Sequence, residues 1–187
     1  MARRTGRGVR RLRGRSARPR RGRTAPRFPA FGSTPPPATA AALERVTPVL
    51  ARADAFVVVT PEYNHSYPAS LKNVIDWHNP QWHAKPVAFV SYGGLSGGLR
   101  AVEHLRPVFA EVHAVTVRDT ISFHGARERF AEDGSPKDPE SVNTAAETLL
   151  TRLEWWARSL AESRAKRPYT VRPTTTPRTA GRPGRCV

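Results

Sequence analysis

Cysteine is nearly missing from this sequence: Cys186 stands alone among 187 residues, so no intrachain disulfide can form. Its penultimate position does not fit a prenylation box either. No segment approaches the roughly 18 apolar residues that a membrane span needs, and neither end carries the apolar stretch of a signal peptide. The paired arginines near the N-terminus are therefore not read as an export signal, and the cytoplasm is the expected compartment. Six histidines are present (His65, His78, His83, His104, His113 and His124), but none are spaced as in H-E-x-x-H, so no metal site is expected. Acidic residues are missing from both ends, because all 15 lie between Glu44 and Glu162.

What is present divides the chain into three. Residues 1–43 hold 12 arginines and residues 163–187 hold seven Lys/Arg, so the three segments carry +12, −3 and +7 of the net +16. The stretch 1–40 is built from Arg, Gly and Pro and cannot bury enough apolar surface to offset its ordering entropy. It is expected to be a disordered basic tail, as is 163–187, with a folded domain over 41–162. The N-terminal tail predicts salt-sensitive, sequence-independent attraction to nucleic acid or another polyanion, and with no Tyr or Trp and only Phe28 and Phe31 it does not imply base stacking.

The middle segment alternates. Leu43, Val46, Val49 and Leu50 fall at helical spacing, with Pro48 among them. "DAFVVVT" reads as a strand covered on both faces. Leu71, Val74 and Ile75 mark a helix that Ser66 and Pro68 can start. "KPVAFVSY" is a second buried strand that ends in "GGLSGG", and Leu99, Val102, Leu105 and Phe109 give a helix that Pro107 should kink or shorten. "HAVTV" is a third strand, residues 118–137 read as a loop, and Asp138 with Pro139 starts a last helix with Val142, Ala146, Leu149, Leu150, Leu153, Trp156 and Leu160 on one face. This order predicts an α/β fold, a parallel sheet with helices on both faces. Ligands of such sheets sit beyond the carboxyl ends of the strands.

Two unusual segments occupy that position. "TPEYNHSYP" brings aromatic faces from Tyr63 and Tyr67 and polar groups from Asn64 and Ser66, a mixture that suits a planar, hydrogen-bonding heteroaromatic. Its plain alternative is a helix-entry loop with tyrosines packed as core, and Glu62 can be structural as readily as a ligand. "SYGGLSGG" lets the backbone come close to a flat or anionic ligand, or is simply a flexible turn. Gly94-Leu95-Ser96-Gly97-Gly98 also satisfies G-x-S-x-G, with Asp119 and His124 following in hydrolase order. The four tryptophans read as core or subunit-contact groups.

"VVVTPEYNHSYPASLKNVIDW" followed by "KPVAFVSYGGLSGGLRAVEHLRPVFAEV" resembles the NADPH-dependent FMN reductase family over about residues 41–162. The resemblance implies a flavodoxin-like fold that binds FMN noncovalently. Hydride would pass from NAD(P)H through the flavin to a small acceptor such as a quinone or a second flavin. It implies cofactor-binding roles for Pro61, Glu62, Tyr63 and Asn64, largely through the backbone, and for Ser91, Tyr92, Gly93 and Gly94. It also implies a homodimer or homotetramer, with Lys72, Asn73 and Asp76 at the contact, and no side chain stands out as a general acid or base.

The family begins with a strand that runs into a phosphate-binding G-S-x-R loop. "FGST" at 31–34 does not fill that role, so the N-terminal strands are expected to be missing or replaced by the basic tail. Two charge-assisted phosphate bonds at roughly 1.5–3 kcal/mol each correspond to about 10² to 10⁴-fold in FMN affinity. A shifted reading frame over the first 28 or so residues is one expected origin of such an Arg/Gly/Pro run. Two other functions are set beside the reductase: a non-enzymatic flavodoxin-like scaffold with a polyanion-binding arm, and a G-x-S-x-G serine hydrolase.

Overall fold

The computed structural model describes residues 34–170. The expectations for the first 33 residues, the missing phosphate loop included, lie outside that range. Eight principal elements follow one another. They are α1 (Pro37–Arg52), β1 (Phe56–Pro61), α2 (Ala69–Asp76), β2 (Pro86–Tyr92), α3 (Leu99–Glu111), β3 (Val115–Phe123), α4 (Ala126–Arg129) and α5 (Pro139–Lys166). A single 3-10 turn, Pro80–Trp82, lies between α2 and β2.

The described strands form one parallel sheet in the order β1-β2-β3, as the alternating pattern predicts. Parallel neighbours need crossovers, and α2 and α3 supply them. One face of the sheet carries the larger core. Phe89, Ile75, Leu105 and Phe109 are fully buried there, and Phe56 and Val58 of β1 pack against them. Trp82 lies edge-on to Phe56 and Phe109, with ring centroids 4.6 and 5.4 Å away. Each such side chain contributes about 1.5–3 kcal/mol when fully removed from water. On the other face α5 presses Leu149 and Leu153 onto Ala88 and Val117.

That second layer stops short of β1. Val57 and Val59, which point to the α5 side, are 43% and 64% exposed. The sequence predicts a strand covered on both faces; α5 packs mainly on β2 and β3, so among the described residues β1 is largely covered on one. Leu150 and Trp156 of the predicted α5 face are likewise exposed.

Four boundaries differ from expectation. Strand β3 runs on to Phe123, through residues read as a loop. Its register slips beside β2, two steps from Val87 to Phe89 standing against four from Thr116 to Thr120. Arg106 of α3 fills the irregularity, donating to the carbonyls of Val117 and Arg118 at 3.1 Å each and to Thr120 Oγ1 at 3.2 Å. Helix α1 begins at Pro37, inside the stretch 1–40 expected to be tail, while α3 runs on past Pro107, expected to kink or shorten it, to Glu111. Helix α5 passes position 163, where a tail is expected, because Arg164 donates to the Ala84 carbonyl at 2.6 Å and to Asp54 at 2.7 Å. The start of α5 follows the expected cap, with Asp138 accepting from the Ser141 N–H at 3.1 Å.

Lys85 ties α1 to the sheet from below. Its Nζ is buried and donates to the Leu50 and Ala51 carbonyls at 2.9 and 3.0 Å, satisfying groups that a helix C-terminus leaves free. Among the described residues no helix is long and apolar enough to cross a membrane.

Candidate functional site

At the carboxyl edge of the sheet β1 and β2 end side by side, with Pro61 opposite Tyr92 in the ladder. The ladder extends one step further, since the Glu62 N–H donates to the Tyr92 carbonyl at 3.1 Å. The loop after β1 and the loop after β2 are therefore neighbours from their first residue.

The first loop turns back sharply. Tyr63 and Ser66 exchange backbone hydrogen bonds of 2.8 and 3.1 Å, and the two residues between them, Asn64 and His65, have φ of 49° and 74°. Two positive φ angles inside such a pair define a type I′ turn, which glycine and asparagine tolerate best. His65 accepts such a backbone less readily than glycine, so the turn holds strain of about 1–2 kcal/mol. The turn sets Tyr63, Asn64 and His65 on the surface.

The second loop is packed from beneath. Ser91 is fully buried and donates its hydroxyl to the Gly97 carbonyl at 2.9 Å, and Ser122 donates to the same oxygen at 2.8 Å. Gly98 has φ of 86°, and a Cβ there would stand 2.7 Å from that of Ser91. The loop is thus drawn tightly onto the ends of β2 and β3, leaving Tyr92, Gly94 and Leu95 outward. Ser91 supports the loop from inside and offers no hydroxyl to a ligand.

Glu62 lies between the loops. Its Oε2 accepts from Ser96 Oγ at 2.6 Å and its Oε1 from Arg100 Nε at 2.6 Å, and its side chain is 5% exposed. Burial raises such a carboxyl, but the Ser96 hydrogen bond and Arg100 outweigh it and hold the group below its usual range. One turn further along α3, His104 Nδ1 and Ser66 Oγ share a hydrogen bond of 3.0 Å.

The sequence-predicted residues thus gather at one rim. Pro61 and Tyr92 end their strands and Tyr63, Asn64, Gly93 and Gly94 lie on the adjoining loops, with Tyr63 57% and Tyr92 40% exposed, while the side chains of Glu62 and Ser91 face inward. Arg100 and His104 carry no motif of their own; their i, i+4 spacing on the helix after "GGLSGG" is the signal that places both against the first loop. The described N–H groups of Asn64, Gly94 and Leu95 have no partner among the described residues, so donors and aromatic faces share this edge. A flat heteroaromatic approached from its side fits that chemistry. Two open cavities, about 570 and 400 Å³, lie elsewhere, against the N-terminal half of α5 and beside His83 and Lys85.

A hydrolase triad is not assembled. Ser96 is bound to Glu62, Asp119 is paired with Arg152, and His124 Nδ1 donates to the Leu95 carbonyl at 3.0 Å. Neither His124 nor Asp119 reaches the serine, whose carboxylate partner, Glu62, is itself paired with Arg100, and this corrects the G-x-S-x-G reading.

The sequence profile of the NADPH-dependent FMN reductases matches residues 23–128. The chain belongs to this family. The match begins inside the stretch read as a basic tail and ends before α5, so it sits further upstream than the quoted motifs suggest. A probable NADPH:quinone oxidoreductase 2 of Oryza sativa subsp. japonica is 35% identical over 105 residues, 53% of this chain and 52% of the relative. An NAD(P)H-dependent FMN reductase of Pseudomonas aeruginosa is 33% identical over 126 residues, 64% of this chain and 67% of the relative. The chain therefore spans about half the length of the first and two thirds of the second. Among solved structures, the flavoenzyme NAD(P)H:(acceptor) oxidoreductase FerB from Paracoccus denitrificans superposes with a TM-score of 0.51 at 27% identity. It covers 63% of this chain and 69% of that one. The flavodoxin-like architecture of this FMN reductase-family chain rests on that likeness and on its parallel sheet.

Proposed function

We propose that this chain binds FMN at the rim formed by Pro61–Asn64 and Tyr92–Gly94, and that it is an NAD(P)H-dependent FMN oxidoreductase serving a small electron acceptor such as a quinone or a flavin. The observation that carries the reading is the adjacency of the two loops, joined by the Glu62 N–H to Tyr92 carbonyl bond, with two exposed tyrosines and unpartnered N–H groups at one edge. When bound, FMN supplies the hydride chemistry, taking two electrons from the nicotinamide and handing them on. The protein binds and orients. Tyr63 and Tyr92 offer apolar faces to a ring, and the N–H groups of Asn64, Gly94 and Leu95 offer donors to its heteroatoms. Pro61 closes β1 without a backbone donor at the rim.

A homodimer through α2 is part of the proposal. Lys72 and Asp76, two of the positions that the resemblance places at the contact, form a partly exposed i, i+4 ion pair at 2.7 Å on this helix.

A titration tests the function. Flavin fluorescence should be quenched to saturation at one FMN per chain, and NADPH should then bleach the flavin absorbance under anaerobic conditions. Protein that leaves FMN emission unchanged up to millimolar concentration overturns the reading. Salt-sensitive DNA binding by such protein would favour the scaffold with a basic arm, whose N-terminal part lies outside the described residues.

A further inference from the structure

The side chain of Glu62 is not free for a ligand, and its partners lie far away in sequence. Ser96 belongs to the loop after β2 and Arg100 to the first turn of α3, yet each engages a different oxygen of the same carboxylate. Ser96 is itself tied into its loop, its Oγ accepting from the Gly98 N–H at 3.4 Å. His104, on the same side of α3 as Arg100, reaches Ser66 at the far end of the type I′ turn. The segment from Ser96 to His104 thus grips the first loop at both ends of its strained turn.

We infer that Glu62 is a positioning residue, a latch that with Ser96 and Arg100 fixes the spacing and angle of the two loops and so pre-forms the edge on which the flavin ring would rest. This deepens the reductase reading and rests on it for the identity of the ligand. A turn with two non-glycine residues at positive φ persists only where its surroundings over-determine it. Without the latch, the backbone bond from Glu62 to Tyr92 and the His104–Ser66 bond remain, and these constrain the loop's root and one flank but not the level of Tyr63 and Asn64. A rim assembled in advance loses less freedom when a ring docks, which is felt as affinity.

Hydrogen exchange and FMN titration on the full chain separate the possibilities. In Ser96→Ala and Arg100→Gln, the amides of Tyr63 and Ser66 should exchange at least about tenfold faster, although neither substitution lies in their loop. The amides of Leu149 and Leu153 should keep their protection, which shows that the fold persists. FMN should bind about tenfold or more weakly to Glu62→Ala, and Glu62→Gln, whose one carbonyl oxygen can still accept from Arg100 while its NH2 donates to the Ser96 hydroxyl, should recover part of the loss. Unchanged exchange at Tyr63 and Ser66 overturns the latch whether or not FMN binds. Faster exchange with unaltered FMN affinity overturns its role in preparing the rim. Failure of the wild-type chain to take FMN at all would instead count against the reductase reading, while the exchange result would still decide the latch.

Discussion

Single residues decide whether the second loop can lie where it does. Gly98 combines a left-handed backbone with a missing Cβ whose place is taken by Ser91 and the Tyr92 nitrogen. Alanine there would meet backbone that cannot move aside, and Gly98→Ala should cost about 2–4 kcal/mol from strain and overpacking together. Urea denaturation checks this, since the midpoint should fall with an unchanged slope. Gly94 has nothing near its missing Cβ, so Gly94→Ala should be close to neutral in the same assay. At this scale the sequence was partly readable. "YNHS" and "GGLSGG" announce turns, and Tyr63 and Tyr92 stand where a rim needs them. The partners of Glu62 could not be read, because Ser96 and Arg100 lie more than thirty positions away and only the ladder between β1 and β2 brings them to it.

Elements are held to one another by a few charged side chains, and their titration gives the fold a pH dependence. Asp119 of β3 is held below its ordinary range chiefly by its hydrogen bond to Arg152 of α5. Glu62 is depressed as well, by Ser96 and Arg100 against its burial. A carboxylate whose folded pKa is lowered contributes stability that is complete above its unfolded value, about 4, and lost as pH falls through the folded one. Stability should therefore be level near neutrality and decline in acid below about pH 4, and Arg152→Gln should flatten that decline, as read from melting temperatures across pH. Arg106 belongs to the same scale: Arg106→Leu would leave the Val117 and Arg118 carbonyls without their donor and should cost about 2–4 kcal/mol in urea denaturation. Here the sequence misleads in an instructive way. Arg118, Asp119 and Thr120 look like the start of a loop, yet they continue β3, because Arg106 satisfies the backbone at the slip in register. Asp138 and Pro139, by contrast, mark the start of α5 by local chemistry alone, and such signals carry over intact.

For the whole molecule, the order of helices and strands was legible from hydrophobic periodicity, whereas the coverage of the sheet was not. "FVVVT" looks the same whether one face or two are shielded, and only the placement of α5 reveals the side of β1 that the described residues leave uncovered. Val57 and Val59 should promote self-association, so Val59→Lys should lower light scattering at high protein concentration and leave the melting temperature nearly unchanged. The pairing pattern has a consequence for how the molecule is made. Among the described strands each finds its neighbour about thirty residues downstream, Phe56 beside Val87 and Pro86 beside Val115, and no pairing skips a strand. A chain emerging from the ribosome can close each of these βα steps as soon as it is synthesised, laying the three described strands down in order of synthesis.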